Sequence, residues 1–156
     1  MFAVRMMQLI ETHADVLSEG LARKMRTAPQ CQELLRKVPA DELKRRSQEI
    51  YCHLGEWLTT KTDSEIEERY VGLGIRRARQ GVSFSTFLWA VTSTKEYLWE
   101  FLEGEGLVEQ PVELIGELDL LHSLERFFDR VLYFASIGYE HEQREQREHL
   151  RHAHVA

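Results

Sequence analysis

The chain has 156 residues and a formal net charge of −6, with 43% of residues hydrophobic and 29% charged. That length suits one domain with a real core, and the apolar share excludes a disordered chain. The acidic balance argues against nucleic acid as main partner, because phosphate binding needs a concentrated basic surface. Two short basic runs, Lys44-Arg45-Arg46 and Arg76-Arg77-Ala78-Arg79, read as solvated helix faces. Cys31 and Cys52 are too few for a disulfide framework and show no metal spacing, so they read as thiols in a reducing compartment. No stretch approaches the ~18 apolar residues that span a bilayer. The N-terminus carries Glu11 and Asp15 and lacks a signal-peptide pattern. The expectation is a soluble, cytoplasmic protein with no membrane contact.

Proline is scarce and no run alternates apolar with polar residues, which points to an all-α fold. A first helix is expected over 2–26, on the stripe Ala3, Met7, Ile10, Ala14, Leu17, Leu21 and Met25, stopping near Pro29. A short helical turn over 30–37 follows. A second helix begins near Pro39, with Asp41 and Glu42 suited to its first turn, and carries Leu43, Ile50, Tyr51, Leu54, Trp57 and Leu58. Thr59-Thr60-Lys61 is a loop. Thr62 or Asp63 caps a third helix that ends at Gly81. Ser83 caps a fourth, built on Phe84, Phe87, Leu88, Val91, Leu98, Phe101 and Leu102, with Trp89 and Trp99 partly off that stripe. It ends at Gly104 and Gly106, which open a loop through Pro111.

The last segment, from Pro111 to about His152, has no further proline and glycine only at Gly116 and Gly138. It reads as one helix far longer than the ~11-residue average. Two apolar stripes run along it. One is Leu114, Leu118, Leu121, Phe128, Leu132, Ala135 and Tyr139; the other is Leu120, Leu124, Phe127, Val131 and Phe134. They lie about 100° apart, so together they exceed one-sided packing. One stripe is expected to face the fold's own core and the other a second copy of the chain. The dimer interface is assigned to Leu120, Leu124, Phe127, Val131 and Phe134. Beyond Glu140 the pattern changes, and residues 141–152 hold a single apolar residue, Leu150. The expected domains are therefore 1–140 as the body and 141–156 as a charged helical linker, losing its helical support beyond Leu150.

Seven histidines invite metal or haem chemistry. A haem ligand must project into an apolar pocket. His122 shares the polar face of the long helix with Asp119, Arg126, Asp129 and Arg130, so it reads as solvated. His13 and His53 flank apolar stripes as edge residues. A di-iron bundle needs two Glu-x-x-His pairs; the nearest match is a single Asp119-x-x-His122. His149, His152 and His154 could meet a stray divalent ion at most. Cys52 and His53 are adjacent on a helix and point about 100° apart, so neither can activate the other. No phosphate-binding loop is present. No catalytic, cofactor or metal residues are assigned. A haem-binding globin sensor and a di-iron helical-bundle enzyme stand as the rival readings.

Two segments carry a family pattern. The first is Tyr70-x-x-Leu73-Gly74-x-x-Arg77-Ala78-x-x-Gly81-Val82-Ser83, continuing to Phe87-Leu88-Trp89-Ala90 and Lys95-x-x-Leu98-Trp99-x-Phe101-Leu102. The second is Leu124-x-x-Phe127-Phe128-Asp129-x-x-x-Tyr133, then four residues, then Gly138-Tyr139-Glu140. Together they resemble the N-terminal domains of RsbR-type stressosome proteins and similar domains that precede some bacterial histidine kinases. The stripes give five main helices plus a short one, compatible with a helical bundle or a globin-like fold; the resemblance implies the latter, as a non-haem, globin-like sensory domain without catalysis. It also implies a homodimer that passes a signal through an extended last helix to an output domain or to stressosome-type partners. The family's output domain is not in this chain, which is expected to be either a fragment or a free-standing sensor.

Overall fold

The computed structural model describes residues 2–104 and 111–155, with side chains over 4–104 and 118–155. The described residues form an all-α fold of eight α-helices and one 3-10 turn, without a strand. The helices are α1 (Phe2–Thr12), α2 (Ala14–Thr27), α3 (Gln32–Lys37), α4 (Ala40–Cys52), α5 (Leu54–Thr59), α6 (Asp63–Arg79), α7 (Phe84–Gly104) and α8 (Pro111–Val155); the 3-10 turn, Pro29–Cys31, precedes α3. The expected loop through Gly106 and the side chain of Leu114 lie outside the described residues.

Two helices expected as single pieces are each bent at a histidine. The first bends at His13, whose Nδ1 lies 2.8 Å from the Leu9 carbonyl oxygen. The second bends at His53, between α4 and α5. Backbone hydrogen bonding passes through both bends, from His13 N–H to Leu9 and from His53 N–H to Glu49. Periodicity therefore survives each bend, and the stripes alone do not reveal it. The two bends meet. Glu11, at the end of α1, accepts a 2.9 Å bond from the Gly55 N–H in the first turn of α5. An N–H that no helix carbonyl can satisfy is thereby paired.

The helix starts that local chemistry dictates are in place. Thr62 and Glu65 form a reciprocal capping box at the start of α6. Gly81 has φ +78°, the left-handed conformation that stops α6. Ser83 accepts from the Thr86 N–H to start α7. A second cap comes from far along the chain: Glu33 of α3 accepts from the Ser83 N–H at 3.0 Å, from the Ser83 hydroxyl at 3.0 Å and from the Thr86 hydroxyl at 3.0 Å. These bonds, with Lys37, hold the Glu33 carboxyl down at about 2.

The core is one apolar cluster drawn from every helix whose side chains are described, and within it α8 packs most extensively on α6. Ion pairs and ring contacts give the directions. Asp63 meets Arg130 and Arg79 meets Glu142, so α6 and α8 run roughly parallel. Phe84 and Phe87 meet Tyr139, while Lys95 meets Glu125, so α7 and α8 run antiparallel. Helices α1 and α5 also touch α8.

Candidate functional site

Helix α8 is 45 residues long, about 67 Å at 1.5 Å per residue. Its body half is gripped most closely by α6. A Cβ added at Gly74 would overlap the Ala135 carbonyl oxygen, and one added at Gly138 would overlap the Val71 carbonyl oxygen. Backbone thus lies directly on backbone at this crossing, which only glycine permits. Arg79 reaches Glu142 at 3.1 Å one turn further on. Glu142 is the last buried residue of the helix, and every described side chain from 143 to 155 is exposed. The helix nonetheless continues to Val155, past the expected loss of support at Leu150. No proline or glycine follows Gly138 to interrupt it.

The interface assignment from sequence needs correction. Leu120, Leu124, Phe127 and Val131 are buried within the single chain, at 4% exposure or less, and Phe134 packs against the same core. Phe127 sits in an aromatic cluster with Trp57, Tyr70 and Phe128. Phe128, Ala135 and Tyr139, from the other stripe, are buried as well. The wide apolar surface of α8 is covered by α1, α5, α6 and α7 together. A helix flanked on several sides can bury two stripes without a second chain. The large apolar side chains that α7 and the body half of α8 do leave exposed are Leu88, Trp89, Leu118 and Tyr133.

The second arginine run is a solvated face only in part: Arg76 and Arg79 are exposed, but Arg77 is not. Arg77 is buried and its guanidinium donates to Glu42 at 2.9 Å and to Gln80 at 2.7 Å. Arg76 pairs with the same Glu42, which also accepts from Gln80. Glu42 itself is buried. The Arg76 hydrogen bond, aided by Arg77 and Gln80 and opposed by burial, brings its carboxyl down to about 2. Further along, Arg69 pairs with Glu49. Helices α4 and α6 are therefore locked by three ion pairs on two glutamates. The signal that could have pointed here is the spacing of Glu42 and Glu49 on one helix against Arg76 and Arg69 on the other, both seven apart and in opposite chain order.

Beside this lock lies an apolar cavity of about 360 Å³, walled by α2, α3, α4, α6 and α7. Leu21, Leu34 and Phe87 form its buried floor, and Leu43 and Ile50 of α4 line its half-open side. Arg46 borders this cavity and also both polar clefts between α4 and α6. Burial, with Arg69 and Arg77 close by, shifts its ionisation downward.

The histidines lie elsewhere. None lines the cavity. His122 is exposed on the outer side of α8, as expected. His13 packs against Phe101, and His53 is exposed beside Glu56. His141 is paired across one turn with Glu145. Among the described residues no three metal-ligating side chains converge. Cys31 is buried and Cys52 exposed, both as free thiols. Among the described residues no helix is long and apolar enough to cross a membrane.

Trp99 and Lys95 of α7 both bind Glu125 of α8, at 3.2 and 3.0 Å. Tyr97 lies over Gly20 of α2. Of the aromatic residues singled out on α7, Trp89 is the one most open to solvent.

No curated protein and no solved structure matches the chain. A family model does: the RsbT co-antagonist protein rsbRD N-terminal domain, over residues 14–154. That span holds the Gly74–Gly138 crossing, the Glu42–Arg77 lock, the cavity and nearly all of the exposed rod, and the chain belongs to this family.

Proposed function

We propose that this chain is a non-catalytic sensory and regulatory domain of the stressosome type, acting in the cytoplasm as a homodimer and passing its signal along α8. Family membership supports the regulatory role. The observation that carries the rest is the continuity of α8, which is core from Leu120 to Glu142 and bare rod from 143 to 155. A helix clamped backbone-to-backbone at one end transmits rotation or translation of its clamp to whatever joins the other end. Residues 141–156 are then the linker, and its partner is an output domain or another stressosome-type protein.

Dimerisation is assigned to the outer side of α7 and α8. Leu88 and Trp89 are 40% and 44% exposed, and Leu118 and Tyr133 are 55% and 63% exposed. Exposed apolar side chains on two helices that pack against each other favour a two-fold contact. Such a contact would set two α8 rods side by side.

The test is to fuse a related sensor's output domain after Ala156 and alter the rod near Gln143. One inserted residue turns everything downstream by ~100°, whereas seven nearly restore the phase. The expected result is output changed by the single insertion and retained with seven. Equal output from both would make the rod a passive tether.

A further inference from the structure

We infer that the polar cleft between α4, α5 and α6 binds a diphosphate, with one phosphoryl group between Lys61 and Arg46 and the second beyond Arg46, beside Arg45.

Three observations converge on this cleft. The first is Gly72. It lies in the interior of α6, where glycine is a poor helix former, and a Cβ built there would meet nothing within 4 Å. The α8 crossing accounts for Gly74, but no packing contact requires Gly72. The missing side chain lies on an opening of about 460 Å³, walled by Trp57 of α5, by Lys61 and by Arg46 of α4.

The second is Trp57. It is 8% exposed, it lines the cleft, and its indole N–H has no hydrogen-bond partner within the protein. A buried donor without an acceptor costs free energy that a ligand's oxygen can recover. Lys61 holds its ammonium 5.6 Å from the centre of the same ring. Its flexible stem can carry that ammonium onto an anion and so clear the indole for the same anion.

The third is charge. A second cleft of about 380 Å³ adjoins the first, and Arg46 and Arg69 line both. In the second, Arg45, Arg46, Arg69 and Arg76 meet only two carboxylates, those of Glu42 and Glu49. Both are taken, Glu42 by Arg76 and Arg77 and Glu49 by Arg69. Arg46 is left with a loose 3.8 Å contact to Glu49. Among the described residues the Arg45 side chain has no partner. In the first cleft Glu65 is engaged in capping α6 and feels Lys61 only through space, while Glu68 is exposed. Three cations without a committed carboxylate therefore border one opening, with Arg46 in the middle. Guanidinium and ammonium groups are the usual partners of phosphoryl oxygens, and two anionic centres match cations on both sides of Arg46.

This gives the sensory reading a ligand class and rests on it only for purpose, since binding is measurable on the chain alone. The experiment is titration calorimetry of the purified chain with pyrophosphate, inorganic phosphate and sulfate. Pyrophosphate should bind one per chain, about tenfold tighter than either single anion, and raise the melting temperature. Arg46→Gln should weaken pyrophosphate about tenfold, through the loss of one charge-assisted contact. Arg45→Gln, at a more exposed position, should weaken it about threefold and leave phosphate unchanged. Gly72→Leu should fill the cleft and abolish binding while melting no lower than the wild type, because leucine is the better helix former. Arg147→Gln, out on the rod, should leave binding unchanged. Absence of pyrophosphate binding to the wild type overturns the site. Undiminished binding to Gly72→Leu places the ligand elsewhere and overturns it equally, as does equal weakening by Arg147→Gln, which marks diffuse ion pairing. Equal affinity for phosphate and pyrophosphate overturns the diphosphate assignment. None of these results touches the insertion test of the rod.

Discussion

The two halves of α8 share one helix and almost nothing else. From Leu120 to Glu142 it is surrounded by α1, α5, α6 and α7 and crosses α6 so closely that two glycines are required. From 143 to 155 every described side chain is exposed. Intrinsic propensity favours the rod, which is rich in Glu, Gln and Arg, over the body half with its glycine and aromatics. The difference teaches that tertiary packing, not propensity, sets where this helix is stable. Pairs such as His141–Glu145 add only ~0.2–0.5 kcal/mol each.

Changes to the body half should have the largest effects. Gly138→Leu places a branched side chain against the backbone of Val71 and Ile75. A loss of about 3 kcal/mol or more is expected by denaturant unfolding, because backbone cannot yield as a flexible side chain would. Phe127→Glu should also unfold the chain rather than merely split a dimer, since it would bury a carboxylate among Trp57, Tyr70 and Phe128. A folded, monomeric Phe127→Glu protein in light scattering would contradict the packing described.

The lock between α4 and α6 should come next. Glu42→Ala leaves Arg77 buried without its carboxylate, and about 3 kcal/mol of destabilisation is expected. The acid response fixes the sign. The folded Glu42 carboxyl is depressed from 4.5 to about 2, so its contribution is complete above the ordinary carboxylate value. It is lost as pH falls from about 4.5 towards 2. The gap in melting temperature between wild type and Glu42→Gln should therefore narrow over that window and be steady above it.

Smaller effects belong to the outer surfaces. Tyr133→Glu should leave the fold intact and shift light scattering towards monomer, as should Leu88→Glu. A dimer unaffected by both would move the contact off α7 and α8. In the rod, Leu150→Ala should change stability by less than ~0.5 kcal/mol, because the side chain is exposed.

The sequence pattern made the local features legible. The Thr62 cap, the Gly81 stop, the Ser83 start and the long last helix all follow from chemistry within a few residues of each position. Features that depend on partners far along the chain were not legible. Glu42 looked like a first-turn acid because its arginines are more than thirty residues away. Glu33 gave no sign that it caps α7. The two stripes of α8 were both visible, but periodicity records only how wide an apolar surface is, not which helices cover it. The interface assignment failed for that reason. The cavity was hidden similarly, since Leu43, Ser47 and Ile50 have core spacing and only the surrounding helices determine that they are left half-open.

Hydrogen exchange along α8 tests the central contrast most directly. Amides from Leu124 to Glu142 should exchange only with global unfolding, whereas those from Gln143 to Val155 should exchange by local opening, orders of magnitude faster, with the step falling within one turn of Glu142. Gly138→Ala should speed the first group and leave the second unchanged. Uniform protection along the whole helix, or fast exchange already at Val131, would contradict the account of a clamped core helix that emerges as a free rod.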